Sequence, residues 1–183
     1  VAKVADESQP EVAAVRLLWG IGYKTEVDYL VPELTIGKFG TFRNVRLEAR
    51  PKDWKRGTRW SWASNPFVGR KEYQGLIVAL MMFNSTDLKN SNNSLYEHKD
   101  GDYVEQWYVA RDVGSALGDT QRMAPRKNHI DSFEQMPFIL GVTNGYVDFA
   151  YNGWYKNLVR SRIKPEDVAW ISDLFGRLSD KQM

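Results

Sequence analysis

The chain has 183 residues, a formal net charge of +2, 43% hydrophobic and 26% charged residues, and no cysteine. That is the length of one domain and an ordinary globular composition, and it excludes disulfides, thiolate zinc sites and cysteine nucleophiles. Two histidines leave little for a histidine-rich metal centre, and basic residues scattered through a nearly neutral chain argue against a dedicated nucleic-acid binder.

In chain order, residues 1–5 are short, apolar and compatible with a strand. Ser8 followed by Glu11 fits a capping box, with Pro10 in the first turn, and Val12, Val15, Leu18 and Trp19 recur at helical spacing. A helix is therefore predicted over about Pro10–Trp19, ended by Gly20 and Gly22. Residues 26–50 read as two strands about a turn at 37–40. The second is imperfectly in phase, as a β-bulge would make it. Residues 51–70 are irregular, with Trp54, Trp60, Trp62 and Phe67 among cations and turn formers. Such a stretch is a loop pinned to the core by tryptophans, or a surface that stacks bases or sugars.

Residues 71–83 are apolar nearly all round, which predicts a buried central helix. Leu95–His98 and Tyr103–Val109 then pair as a hairpin about Lys99-Asp100-Gly101. Residues 119–132 form a polar loop, 133–142 a loop or strand, and 141–155 a stretch rich in Gly, Asn and aromatics. Lys164-Pro165-Glu166-Asp167 opens a last helix with an apolar stripe of Val168, Ile171, Leu174, Phe175 and Leu178. No apolar run approaches the ~20 residues that span a bilayer, no signal peptide is visible, and no Gly-x-Ser-x-Gly elbow is present. His98 and His129 are expected at the surface, and Arg111 as a solvated arginine or a phosphate contact.

Chemistry concentrates in residues 84–114. Asp87-Leu88-Lys89 leads to Asn92, and the hairpin delivers Asp112-Val113-Gly114. One acid, one cation and an amide on one loop, with a second acid on the next, suit a magnesium-phosphate site, because Mg²⁺ takes oxygen ligands and is commonly held by one or two side chains plus substrate phosphates. The plain alternative is structural: Asp87 capping a turn, Lys89 solvated and Asn92 in an Asx turn.

At these residues, and in its order of elements, the chain resembles the protein-kinase-like superfamily, and it is similar to uncharacterised bacterial proteins distantly related to HipA-type kinases. The resemblance implies an α+β, two-lobed fold. Residues 1–70 would be a partial β-rich N-terminal lobe with one helix, and 71–183 a mainly helical C-terminal lobe. The N-terminal lobe is expected to be truncated, since the chain starts at Val1 and no Gly-rich phosphate loop is present. Asp87 matches the catalytic base and Lys89 the loop lysine that steadies the transferred phosphate. Asn92 and Asp112 match the magnesium ligands. Val1-Ala2-Lys3 resembles the end of the kinase lysine strand, so Lys3 would contact the nucleotide and Glu11 would be its ion-pair partner, with Glu7 a competitor. Ser85-Thr86 stands where the family has His-Arg, Asp-Val-Gly replaces Asp-Phe-Gly, and no Ala-Pro-Glu follows.

The expectation is an ATP- and Mg-dependent phosphotransferase acting on the hydroxyl of a protein or small molecule, with no nucleic-acid partner. Two alternatives stand beside it: a catalytically decayed pseudokinase or interaction module, and a carbohydrate- or peptide-binding domain using Trp54, Trp60, Trp62 and Trp154.

Overall fold

A computed structural model describes residues 1–119 and 127–182. The architecture is α+β, with three small antiparallel sheets and four helices among the described residues. The first sheet has the order β1 (Ala2–Lys3), β3 (Thr41–Ala49), β2 (Val27–Thr35), so the short first strand lies on the long hairpin's second arm. Helix α1 (Ser8–Gly20) packs on β2 and β3 and buries Val12, Ala14, Val15 and Leu18. Val12, Val15 and Leu18 are positions the helical spacing selected, but Trp19, the fourth, is 71% exposed near the helix's end.

The predicted capping box does not form. Glu7 is the N-cap and no side chain caps the helix. Ser8 Oγ instead donates to the Lys3 carbonyl at 3.0 Å, and Glu11 is drawn away by cations. The phase slip in β3 is not an inserted bulge either. Val31 pairs with Val45 and Glu33 with Arg43, so register is unchanged across the gap. Pro32, which has no N–H to give, sits in that gap opposite Asn44, which takes a left-handed φ of 52°.

The second sheet has the order β4 (Trp54–Arg56), β5 (Asn93–Asp100), β6 (Tyr103–Ala110). The hairpin is as predicted, but its turn falls on Gly101-Asp102, because Asp100 pairs directly with Tyr103. A third sheet joins β7 (Ile139–Thr143) to β8 (Tyr146–Phe149), preceded by a short helix α3 (Ile130–Glu134). Part of the polar stretch predicted as a loop over 119–132 lies outside the described residues.

Helix α2 (Lys71–Met82) is the buried centre, and its residues from Leu76 to Met81 are all buried. Helix α4 (Pro165–Gly176) packs against it and buries Ile171, while the Lys164 backbone N–H donates to Asp167 Oδ2 at 2.9 Å to fix its start. The buried cluster is continuous from Val15 and Leu18 of α1, through Trp60 and Trp62, to α2 and Ile171. Trp60 and Trp62 are 6% and 1% exposed, and the Trp60 indole donates to the Val109 carbonyl at 3.1 Å. The irregular stretch is thus pinned to the core by tryptophans, and these two rings are not available to stack a ligand. Among the described residues, no helix is long and apolar enough to cross a membrane.

The first two sheets are joined by charge. Glu26 accepts from Arg56 at 3.1 Å, from the Tyr96 hydroxyl at 2.8 Å and from Arg111. Glu48 accepts from Arg56 at 2.7 Å and Arg50 at 3.1 Å. Both glutamates are buried, and buried carboxylates persist only when paired in this way. Burial and the Glu26 carboxylate push the Tyr96 phenol up to about 12. Burial also works to raise the pKa of Glu48, but the hydrogen bond and charge of Arg50, with the charges of Arg56 and Arg111, outweigh it and hold Glu48 below its ordinary 4.5.

A group whose pKa is lowered by folding stabilises above its unfolded value and loses that contribution as pH falls through its folded value, by up to about 1.4 kcal/mol per pH unit. Urea unfolding of wild type and Glu48→Gln should therefore differ by a constant amount down to about pH 5 and converge below the ordinary carboxylate value. A difference that stays constant to about pH 3 would show that the arginines do not hold Glu48 in its ionised form.

Candidate functional site

The site is built where three elements meet. β1 carries Lys3, α1 carries Glu7 and Glu11, and the end of the β5–β6 hairpin carries Asp112. The Lys3 ammonium lies 2.9 Å from Glu7 Oε2, 3.1 Å from Glu11 Oε2 and 3.1 Å from Asp112 Oδ1. One cation thus ties the first strand to the helix and both to a loop 109 residues away in sequence. Burial works to lower the Lys3 pKa, but the Glu7 hydrogen bond and the Glu11 and Asp112 carboxylates outweigh it and raise it, so Lys3 stays charged.

Behind Lys3 lies a second layer of charge that the sequence did not signal. Arg46 of β3 donates through one nitrogen to Glu11 Oε1 and Asp28 Oδ2, each at 3.0 Å, and all three residues are buried. Glu11 is therefore gripped from both sides, by Lys3 and by Arg46. Burial first, and the Asp112 charge last, raise the Glu11 pKa against the opposing pull of Arg46 and Lys3. Ligand atoms of Glu11, Glu26 and Asp28 lie within 4.8 Å of one another. Arg46 neutralises two of these acids, and Arg56 and Arg111 the third. The cluster is a buried ion-pair network rather than a cation site.

The Asp87–Asn92 loop follows α2, and its residues hold one another. The Asn92 amide nitrogen donates to the Asp87 carbonyl at 3.0 Å and to Asp87 Oδ2 at 3.2 Å. Lys89 Nζ lies 2.8 Å from Asp87 Oδ1 in an ion pair. The Asp87 bond and charge raise the Lys89 pKa first, and the more distant charges of Asp112 and Glu7 add to it. Those contributions place Lys89 in the same field as the Lys3 cluster.

Backbone bonds fix the two loops side by side. The Arg111 N–H donates to the Asn92 carbonyl at 3.1 Å, continuing the hairpin ladder by one rung, so Asn92 and Asp112 leave its open end together. Thr86 N–H donates to the Ser115 carbonyl at 3.1 Å, and the two side-chain hydroxyls are also 3.1 Å apart. Asp112 itself takes φ 51°, a left-handed conformation that costs a non-glycine residue and often marks a functional turn.

The six residues predicted for catalysis, nucleotide and metal therefore fall in two adjoining groups. Lys3, Glu11 and Asp112 share bonds; Asp87, Lys89 and Asn92 share bonds. Two of the predicted ligands keep oxygens of the kind that Mg²⁺ takes. Asn92 spends its amide nitrogen on Asp87; among the described residues its oxygen takes only a long 3.4 Å bond from Ser91, and Asp112 meets Lys3 through Oδ1, leaving Oδ2. Two hard oxygens on adjacent loops are what Mg²⁺ takes from a protein when phosphates supply the rest.

Other expectations need correction. Arg111 is neither solvated nor turned to the loop; it is bonded to Glu26. His98 is half-buried, stacked on Trp107 with ring centroids 4.3 Å apart. His129 caps α3, its Nδ1 accepting from Ser132 N–H at 3.2 Å. The sequence missed Arg46, and it named Trp154 only as a ligand-stacking candidate without showing that segment 151–156 docks on Thr86 beside Asp87 through a 3.0 Å bond from Trp154 N–H. Its Gly, Asn and aromatic content marked the segment as unusual without linking it to any motif. Comparisons with protein-family models, curated proteins and solved structures return no match for this chain.

Gly114 makes the junction of α1 and the Asp112 turn possible. A Cβ there would lie 2.8 Å from both the Glu7 carbonyl oxygen and Glu11 Cβ, neither of which is a flexible tip. Gly114→Ala should lower unfolding free energy by about 1–3 kcal/mol, the usual cost of overpacking. Gly176→Ala, where nothing lies within 4 Å, should not. Denaturant unfolding of the two variants checks this, and equal midpoints would contradict the close packing of α1 on the turn.

Proposed function

We propose that the chain is a divergent kinase-like phosphotransferase that moves the γ-phosphate of ATP to a hydroxyl acceptor, with Mg²⁺. The observation that carries the reading is the Lys3 ammonium shared between Glu11 on the helix and Asp112 at the hairpin's end, beside an Asp87–Asn92 hydrogen bond. Phosphoryl transfer asks a protein for positioning and charge neutralisation more than for covalent chemistry. A two-lobed kinase-like arrangement gives each of these groups a task.

In this reading Lys3 holds nucleotide phosphate oxygens, and Glu11, backed by Arg46, holds Lys3. Asn92 and Asp112 would hold the metal through their carboxylate and amide oxygens. Bound Mg²⁺ supplies neutralisation of the phosphate oxygens. Asp87 orients the acceptor hydroxyl and receives its proton as the new O–P bond forms and the bond to the ADP oxygen breaks. Lys89, 2.8 Å from Asp87, steadies the transferred phosphoryl group.

One observation favours a second reading. An ammonium has three N–H donors, and Lys3 has three carboxylates around it at 2.9–3.1 Å. A nucleotide phosphate must displace one of them, as Glu7, bound also by Lys127, allows. A protein in which that exchange fails would keep the fold as a pseudokinase or interaction module.

Thermal unfolding with and without Mg-ATP separates these readings. Ligand at a hundredfold its dissociation constant stabilises by about 2.7 kcal/mol. Wild type and Asp87→Ala should gain stability from ATP only when Mg²⁺ is present, and Asp112→Ala should gain none. Only wild type should release ADP. Binding without ADP release in wild type supports the pseudokinase, and no Mg-dependent gain in any variant rejects both.

A further inference from the structure

A cavity of about 670 Å³ opens beside Asp87, and its lining includes none of Lys3, Glu11, Asn92 and Asp112, the proposed nucleotide and metal contacts. Its walls include Thr86, Asp87, Lys89, Lys127, Trp154 and Lys156. The volume is in the range of small-molecule pockets. One wall is anchored to the loop that carries Asp87. The Tyr151 hydroxyl donates to the Trp154 carbonyl at 2.7 Å, and Trp154 N–H donates to the Thr86 carbonyl at 3.0 Å. Gly153 allows that approach, since a Cβ there would lie 2.5 Å from the Thr86 carbonyl oxygen.

The lining is electrically one-sided, with three ammonium groups against the single carboxylate of Asp87. Lys89 is committed to Asp87 and lies 5.1 Å over the Trp154 ring, and Lys127 is paired with Glu7. Lys156 is different. It donates at 2.7 Å to the neutral Asn152 side chain and has no ion pair among the described residues, so its charge is left for an anion. Trp154 is 58% exposed and offers its ring to the same space.

We infer that this cavity is the acceptor subsite, and that it takes a small hydroxyl compound carrying a phosphate or a carboxylate. Lys156 holds the anion, Trp154 carries the carbon skeleton, and the hydroxyl turns to Asp87. The assignment rests on the reading of Asp87 as the base that receives the acceptor's proton. A peptide acceptor would need a groove that tracks an extended strand, whereas this open recess is walled chiefly by two short segments, 86–89 and 152–156, and has the volume of a compact ligand.

The test is calorimetric binding, without nucleotide, of matched probes: glycerol, glycerol phosphate and glycerate; glucose, glucose phosphate and gluconate; and an acidic seryl peptide. Binding should be confined to the charged small probes, and the phosphate and carboxylate members of each set tell which anion is preferred. Lys156→Ala should weaken it about tenfold, the loss of one charge-assisted contact, while Lys156→Arg keeps it. Both variants should unfold at the wild-type midpoint, and Asp87→Asn should still bind. Equal binding of the neutral probes, no binding of any charged probe, or binding of the peptide alone would overturn the inference. Binding of charged probes in a protein that never forms ADP from ATP would leave this subsite standing and remove the phosphotransfer reading. ADP formation with no charged probe bound would do the reverse.

Discussion

The Lys3 ammonium is the constraint on which the rest depends. It is three-quarters buried as a side chain and meets Glu7, Glu11 and Asp112 within 3.1 Å. Removing such a charge from water is unfavourable unless its donors are all used. Using them forces β1, α1 and the end of the hairpin to converge. Arg46 then becomes necessary, because Glu11 is buried among other acids and needs a second cation. Arg46 is shared with the buried Asp28, and beside it Arg56 and Arg111 pair with Glu26, and Arg56 with Glu48, where the first two sheets meet.

Position comes from the other direction. Helix α2 is fixed by burial on nearly every side, so the loop that follows begins at a defined place. The hairpin returns the chain to that place, and the bonds from Arg111 to Asn92 and from Thr86 to Ser115 lace the loops together. Packing therefore positions Asp87 and Asn92, while charge positions Lys3 and Asp112. The close approach of Gly114 to α1 is where the two meet.

Local spacing made much of this legible. Asp87, Asn92 and Asp112 stood out because an acid and an amide five residues apart, then a hairpin, then a second acid is a readable order. Helices α1, α2 and α4 and the β5–β6 hairpin followed from apolar period and turn residues, whereas α3 lies where a loop was expected. What was hidden was tertiary. The capping box at Ser8 and Glu11 has the right residues, but Lys3 and Arg46 offer Glu11 stronger partners than a backbone N–H. Arg46 lies 35 residues from Glu11, and nothing local marks it as buried. His98 beside a turn reads as exposed, yet Trp107 across the hairpin covers it. The segment 151–156 acquires meaning only when it is seen docked on Thr86.

The central claim is that a metal-phosphate site lies between the Asp87–Asn92 loop and Asp112. Paramagnetic broadening of amide resonances by Mn²⁺, which accepts the same oxygen ligands as Mg²⁺, tests it in the presence of ATP. The account predicts broadening centred on residues 87–92 and 111–114, reaching Lys3, and lost in Asp112→Ala. Broadening centred on the buried acids Glu26 and Asp28, or unchanged in Asp112→Ala, would contradict it.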